Sequence, residues 1–236
     1  MPIIRTIDHN FFKRWSSEMA YVLGYFAADG SMLKNGRCAY FIEFTSTDRV
    51  LLEHVQSVTG SNHRIASRER GNNCKTAYRI QIGSKQWFAD LSKLGFTQGK
   101  SKTLQFPDLP KKYFSHFVRG YFDGDGCVHF QKYFAKSRNK EIWSFVSLFT
   151  SGSLCFLTSL HKLLKSFGLH GGHISRKSRG GYDLVFSRRD SLALYRLMYH
   201  TGEVTELFLP RKREKLEKAI QVLGLGTIRA GVAQFG

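Results

Sequence analysis

The chain has 236 residues, 42% of them hydrophobic, enough for one large core or two smaller ones. Its 36 Lys and Arg against 18 Asp and Glu leave a formal charge of +18, an excess that calls for a polyanionic partner. A membrane is a poor candidate for that partner: the charge is spread over predicted strands and loops, the longest apolar run (Met19 to Ala28) is far too short to span, and residues 1–17 carry charges and aromatics where a signal peptide has its apolar core.

The first strong element is a helix, Val22-Leu23-Gly24-Tyr25-Phe26-Ala27-Ala28-Asp29-Gly30, which ends in Asp-Gly. Alternation predicts a strand over 37–46, with Tyr40, Ile42 and Phe44 on one face. Asp48 is placed to cap a helix reaching about Val58, with Val50, Leu51, Val55 and Val58 as its apolar stripe. A basic strand over 63–70 comes next, then a Gly-Asn-Asn turn at 71–73, a strand carrying Tyr78, Ile80 and Ile82 on one face, and a helix over 85–94. A linker over 99–112, containing Pro107 and Pro110, leads to Val118-Arg119-Gly120-Tyr121-Phe122-Asp123-Gly124-Asp125-Gly126, a near copy of the first motif. The same order then repeats: strands near 127–134 and 142–151, a helix over 153–167, strands near 172–177 and 182–187, and a helix over 190–200. A last helix over 211–223 precedes a Gly-rich tail.

The expectation is an α+β protein built as a tandem pseudo-two-fold repeat of α-β-β-α-β-β-α units. Its halves are residues 15–98 and 113–224, with a tail over 225–236. The first hairpin is short in one half, around Asn35-Gly36, and long in the other, around residues 137–140, so the second should project further. The four cysteines Cys38, Cys74, Cys127 and Cys155 form no Cys-x-x-Cys pair and read as reduced thiols of an intracellular protein, in cytoplasm or organelle, not a secreted one.

In both motif copies small residues recur four apart, Gly24 with Ala28 and Gly120 with Gly124, so one face of each helix allows backbone-to-backbone approach. Each Asp stands at the last helical position, with the following Gly expected as a left-handed terminator. Packing along these faces brings Asp29 and Asp125 together at two helix C-termini, where both the dipoles and the like charge disfavour carboxylates. A divalent cation, Mg²⁺ or Ca²⁺, relieves both penalties through hard oxygen ligands.

These residues resemble the LAGLIDADG homing endonucleases in their single-chain form, over nearly the whole chain. Gly24, Asp29 and Gly30 match in the first copy, and Gly120, Asp123, Asp125 and Gly126 in the second. Ala27 departs from the pattern, standing where the motif's earlier acid serves helix packing and capping. The resemblance implies a monomeric, Mg²⁺-dependent enzyme that makes double-strand breaks with short 3′ overhangs at a long asymmetric DNA site, encoded within an intron or intein, with an intron-encoded or freestanding product expected because no protein-splicing domain is evident. Calcium is expected to bind in place of magnesium without supporting cleavage. By the same resemblance, Asp29 and Asp125 hold metal, Lys100 and Lys212 stabilise transition-state charge or position water, and Ser46 and Ser151 orient solvent.

Base reading falls to strand residues facing away from the helices, since the major groove admits a β-ribbon. In the first half these are Leu33, Asn35, Arg37, Arg68, Arg70, Arg79 and Gln81. In the second they are His129, Gln131, Tyr133, Lys177, Arg179 and Asp183, with Lys136, Arg138 and Lys140 on the long hairpin for DNA contact. Phosphate contact is the commoner fate of any one Arg or Lys. A phosphate-loop reading of the segment 95–101 fails on its glycine spacing, and the Cys127, His129, His170 and His173 set lacks zinc-finger spacing. Two rival readings use the same basic scaffold: an intron RNA maturase without cleavage, and a DNA-binding regulator that has lost nuclease activity. The presence of both Asp29 and Asp125 argues against the second.

Overall fold

The computed structural model describes residues 4–69, 71, 75–178, 180–200 and 206–226. Arg70, Arg179 and most of the expected 71–73 turn lie outside the described residues, as do the Arg138 side chain and the tail beyond 226.

Helix α1 (Ser17–Asp29) starts where the Ser16 hydroxyl accepts the Met19 amide at 3.1 Å. It is buried on every face from Met19 to Ala27, as its near-continuous apolar sequence requires. Strands β1 (Gly30–Lys34) and β2 (Tyr40–Ser46), helix α2 (Arg49–Thr59), strands β3 (Ile65–Arg68) and β4 (Ala77–Gly83) and helix α3 (Lys85–Lys93) complete the first half. The second half repeats the order with α4 (Phe114–Asp125), β5 (Gly126–Ala135), β6 (Lys140–Ser151), α5 (Leu154–Ser166), β7 (His173–Arg176), β8 (Tyr182–Phe186) and α6 (Arg188–His200). The final helix is α7 (Pro210–Val222), started by Pro210, which suits the first helical position. Two antiparallel four-stranded sheets result, ordered β1-β2-β4-β3 and β5-β6-β8-β7, which is the α+β duplication read from the sequence. No helix among the described residues is long and apolar enough to cross a membrane.

The halves meet along α1 and α4, and glycine sets the distance. A Cβ on Gly24 would lie 2.1 Å from the Phe117 carbonyl oxygen, and one on Gly120 would lie 2.0 Å from that of Tyr21. Backbone atoms of the opposing helix therefore occupy the space of both missing side chains. The surrounding contacts are duplicated as faithfully as the chain order. The Tyr25 hydroxyl donates to the Thr45 carbonyl at 3.1 Å, and Tyr121 to that of Thr150 at 2.8 Å. Phe26 meets Phe44 edge-on at 5.5 Å, and Phe122 meets Phe149 edge-on at 5.3 Å.

Two local expectations need correction. Gly30 and Gly126 are extended, at φ −88° and −85°, so neither is a left-handed terminator and each helix passes straight into a strand. Their need for glycine is steric: a Cβ would lie 2.0 Å from the Phe26 ring at Gly30 and 2.4 Å from the Phe122 carbonyl oxygen at Gly126. Asp48 occupies the N-cap position of α2 but makes no capping hydrogen bond, because Arg211 takes its carboxylate.

The sheet faces agree with the alternation. Ile42, Phe44, Ile80 and Ile82 point into the core, while Glu43, Arg79 and Gln81 share the opposite face. The β5–β6 hairpin pairs from Gly126 with Phe149 out to Ala135 with Lys140, against Gly30 with Phe44 to Lys34 with Tyr40 in the first half, so the second hairpin is the longer.

Gly24→Ala or Gly120→Ala is expected to cost about 2 to 4 kcal/mol, because backbone cannot swing aside as a side chain can. Gly36→Ala, where a Cβ meets open space, should stay within about 0.5 kcal/mol. Urea unfolding of the three variants checks both.

Candidate active site

Close approach of α1 and α4 places Asp29 and Asp125 at neighbouring helix ends. A Cβ on Gly124 would lie 2.5 Å from that of Ala28 and 3.1 Å from Asp29 Oδ2, so any larger residue would crowd the first carboxylate. Burial pushes the Asp29 carboxyl up to about 7, the Asp125 charge adds to the rise, and Lys212 and then Lys100 oppose it. Burial also raises Asp125, opposed first by Lys100 and then by Lys212.

Both lysines are buried and brought in from outside the helix pair. Lys100 opens a short 3-10 turn, Lys100–Lys102, and its Nζ donates to the Ala27 carbonyl at 2.8 Å. Lys212, in the first turn of α7, donates to the carbonyls of Phe122 and Asp123 at 2.7 Å and of Gly124 at 3.0 Å. Three carbonyls for three N–H bonds make it a complete cap on the C-terminus of α4. Burial lowers each lysine to about 8, with Asp125 and then Asp29 holding Lys100 up, and Asp123 and Asp29 holding up Lys212. Each lysine thus caps the motif helix of its own half, while its stronger pull on the catalytic candidates falls on the carboxylate of the other half. Lys212 also reaches Gly124, whose Cβ position lies 3.1 Å from Asp29 Oδ2, so Lys212 is grouped with Asp29 as one composite centre and Lys100 with Asp125 as its pseudo-symmetric counterpart.

Asp123 is buried beside Asp29 and Lys212 and differs from the two terminal acids in its partners. Its Oδ2 accepts the Tyr21 hydroxyl at 2.8 Å and the Leu209 amide at 2.9 Å, fixing the entry to α7. Its Oδ1 has no hydrogen-bond partner among the described residues. Asp29, Asp123 and Gly124 line a polar cavity of about 300 Å³ together with Thr45, Ser46, Asp48 and Arg211.

The serines have local work. Ser46 Oγ accepts the Asp48 amide at 3.0 Å and Ser151 Oγ accepts the Ser153 amide at 3.1 Å, so each braces the corner between a strand and the next helix. On the first sheet, Arg68, Arg79 and Gln81 lie on the exposed face, where Glu43 accepts from Gln81 at 2.6 Å and from Arg79 at 3.3 Å. Glu43 is not among the expected binding residues, although the alternation that selects Gln81 puts it on the same face. Asn35 bends back, its Oδ1 accepting the amides of Arg37 and Ala39, and leaves Arg37 exposed at the turn. On the second sheet His129, Gln131 and Tyr133 alternate along one face of the long hairpin, and Lys136 and Lys140 are exposed at its tip. Lys177 pairs with Asp183 at 3.4 Å, and Asp183 also accepts the Thr150 hydroxyl at 2.6 Å.

This duplicated arrangement, with two glycine-packed helices ending in acids beneath paired sheets, has known counterparts. The LAGLIDADG-like domain family matches residues 16–93 and again 114–198. The chain belongs to this family. The meganuclease I-SmaMI bound to an uncleavable DNA is similar at TM-score 0.60 and 13% identity, over 89% of this chain and 91% of that one. The I-LtrWI LAGLIDADG homing endonuclease, bound to target DNA, is similar at TM-score 0.57 and 12% identity, over 92% of both chains. At such identities the likeness is one of fold. In sequence, the chain is 23% identical over 210 residues to the RNA polymerase subunit Rpo1C of Methanocaldococcus jannaschii, and 35% identical over 127 residues to a probable translation initiation factor IF-2 of Thermococcus kodakarensis. These matches cover 87% and 52% of this chain but only 21% and 9% of the relatives.

The Asp29 shift has a consequence for stability. Its folded value of about 7 lies above its ordinary 3.8, so the folded LAGLIDADG pair takes up a proton there and loses stability as pH rises from about 4 to 7. In EDTA, Asp29→Asn should melt close to wild type near pH 4 and higher above pH 7. The gain is at most about 4 kcal/mol at 1.36 kcal/mol per pH unit. Thermal melts of both proteins across that range check the sign.

Proposed function

We propose that this chain is a site-specific homing endonuclease that makes double-strand breaks in DNA. The observation that carries the reading is the convergence of Asp29 and Asp125 at two helix ends, each centre completed by a buried lysine. Around it the chain carries +18 of formal charge and two sheets with exposed Arg, Lys and Gln. Two pseudo-symmetric centres match two strands to be cut, and the unlike residues on the two sheets suit an asymmetric target. The halves 15–98 and 113–224 each supply one sheet and one acid, so a monomer suffices: the two-fold contact is closed within the chain.

A divalent cation fits these residues. Two half-buried carboxylates whose ionised forms are disfavoured, at the negative ends of two helices, form a hard-oxygen site that favours further positive charge. Asp29 and Asp125 would hold Mg²⁺, whose chemistry is to polarise the scissile phosphate and lower the pKa of bound water. Ca²⁺ in its place is expected to permit binding without cleavage, and a structure of I-SmaMI carries an uncleaved target in the presence of calcium ions. Lys100 and Lys212 stabilise charge that develops on the phosphate. Ser46 and Ser151 hold the loops bordering each centre. Cleavage leaving short 3′ overhangs and intron encoding complete the reading.

A duplex recovered by cleavage selection from a randomised library in Mg²⁺ provides the assay. Asp29→Asn or Asp125→Asn should abolish double-strand cleavage of that duplex and leave binding within about tenfold, because the strands supply affinity. Unimpaired cleavage by either variant would remove the assignment.

The exposed sheet face makes a second prediction. Gln81→Ala should relax base preference at one or two adjacent positions, at about 1 to 3 kcal/mol for a lost bidentate contact. Lys140→Ala should weaken binding to all sequences alike and reduce the salt dependence by about one charge. Site selection and salt titration with each variant separate the two effects.

A further inference from the structure

The two composite centres are tied to the opposite half by different devices. At the Asp29–Lys212 centre, Arg211 forks onto Asp48 across the boundary, Nε to Oδ1 at 2.8 Å and Nη2 to Oδ2 at 2.6 Å. Asp48 belongs to the same corner as Thr45, whose hydroxyl donates to the Asp29 carbonyl at 3.3 Å. The clamp therefore joins the turn bearing Lys212 to the corner that holds Asp29. At the Asp125–Lys100 centre the residues in the corresponding places are Gly99 and Ser153. There the corner closes by packing: a Cβ on Gly152 would lie 2.3 Å from the Ser101 carbonyl oxygen, and Ser153 Oγ donates to the Leu104 carbonyl at 2.7 Å. Thr150, the counterpart of Thr45, turns its hydroxyl to Asp183 instead.

Resting on the nuclease reading above, we propose that the Arg211–Asp48 clamp is a positioning device for Lys212 that serves the cutting of one DNA strand and not the other. Arg211 acts through its neighbour in sequence. A guanidinium fork fixes both distance and direction, which a lysine at the same place does not. The Arg211 side chain is 53% exposed, so its loss bears on the placement of the α7 turn far more than on global stability.

The test measures each strand separately in single turnover, on the library-selected duplex labelled at either 5′ end. Arg211→Ala is expected to slow one strand about 10- to 100-fold, the range that small misplacements of a catalytic group produce. The other strand should stay within about twofold, so that nicked duplex accumulates while the melting temperature holds. Arg211→Lys should show the same strand bias in weaker form, and the reversed pair, Asp48→Arg with Arg211→Asp, should restore part of the lost rate on that strand alone. Equal slowing of both strands, or no slowing of either, overturns the proposal while wild-type cleavage leaves the nuclease reading intact. Wild type that cuts neither strand of any selected duplex refutes the nuclease reading, and the clamp proposal with it.

Discussion

Everything at the centre of this molecule depends on two helices touching backbone to backbone. Gly24 against Phe117 and Gly120 against Tyr21 leave no room for a methyl group, and that contact brings two helix C-termini and two carboxylates into one small volume. Such a volume is electrostatically unfavourable: two negative dipole ends meet there with two half-buried acids and the buried Asp123. The chain answers by returning to the centre twice, once after α3 and once through α7, each time delivering a lysine onto helix carbonyls. The linker and the last helix are thus pinned at the heart of the fold by the same charge problem that the glycines create.

The pseudo-symmetry is strict where packing demands it and relaxed where it does not. Tyr25 and Tyr121, and Phe26 and Phe122, repeat partner for partner, because each sits in the shared core, and Lys100 and Lys212 both reach the carbonyl two residues before the terminal Asp, Lys212 taking two more. Ala27 and Asp123 hold the same motif position with unlike side chains. Asp123 uses its carboxylate to hold the Leu209 amide and so orient α7, whereas the segment after α3 is a short turn held by Gly152 and Ser153 against its backbone. A helix entering the centre has a free amide needing a buried acceptor; a tight turn closed by its own backbone does not. The departure at Ala27 is accounted for by the unlike segments that carry the two lysines, a turn in one half and a helix in the other, and not by the motif helix itself.

The duplication, the helix pairing and the sheet faces are legible in the sequence because they rest on periodicity and on small residues at fixed spacing. Gln81, Ile80 and Ile82 announce their faces by alternation alone. The glycine after each Asp misleads because an Asp-Gly helix end carries no mark separating a left-handed cap from a helix that continues into a strand; only the ring of Phe26 or Phe122, four residues back, decides it. Asp48 stands where an N-cap belongs, and nothing local reveals that Arg211, distant in sequence, takes its carboxylate. The crosswise pairing of acids with lysines is likewise invisible, since each lysine caps its own helix while facing the opposite half. Contacts that cross the two-fold axis leave no periodic trace.

Glu43 shows how the exposed sheet divides labour within the proposed DNA-binding face. A carboxylate on a surface meant for a polyanion is unfavourable for phosphate contact, yet this one accepts from both Arg79 and Gln81 and so restrains two long side chains that would otherwise lose rotamer freedom on binding. It also opposes the nonspecific pull of Arg79 on any phosphate. The second sheet repeats the logic with other residues, Asp183 holding Lys177 and Thr150. An acid placed beside each cluster of readers trades general affinity for orientation. In a chain of +18 formal charge, general affinity is abundant, and orientation is what the proposed site-specific reading requires.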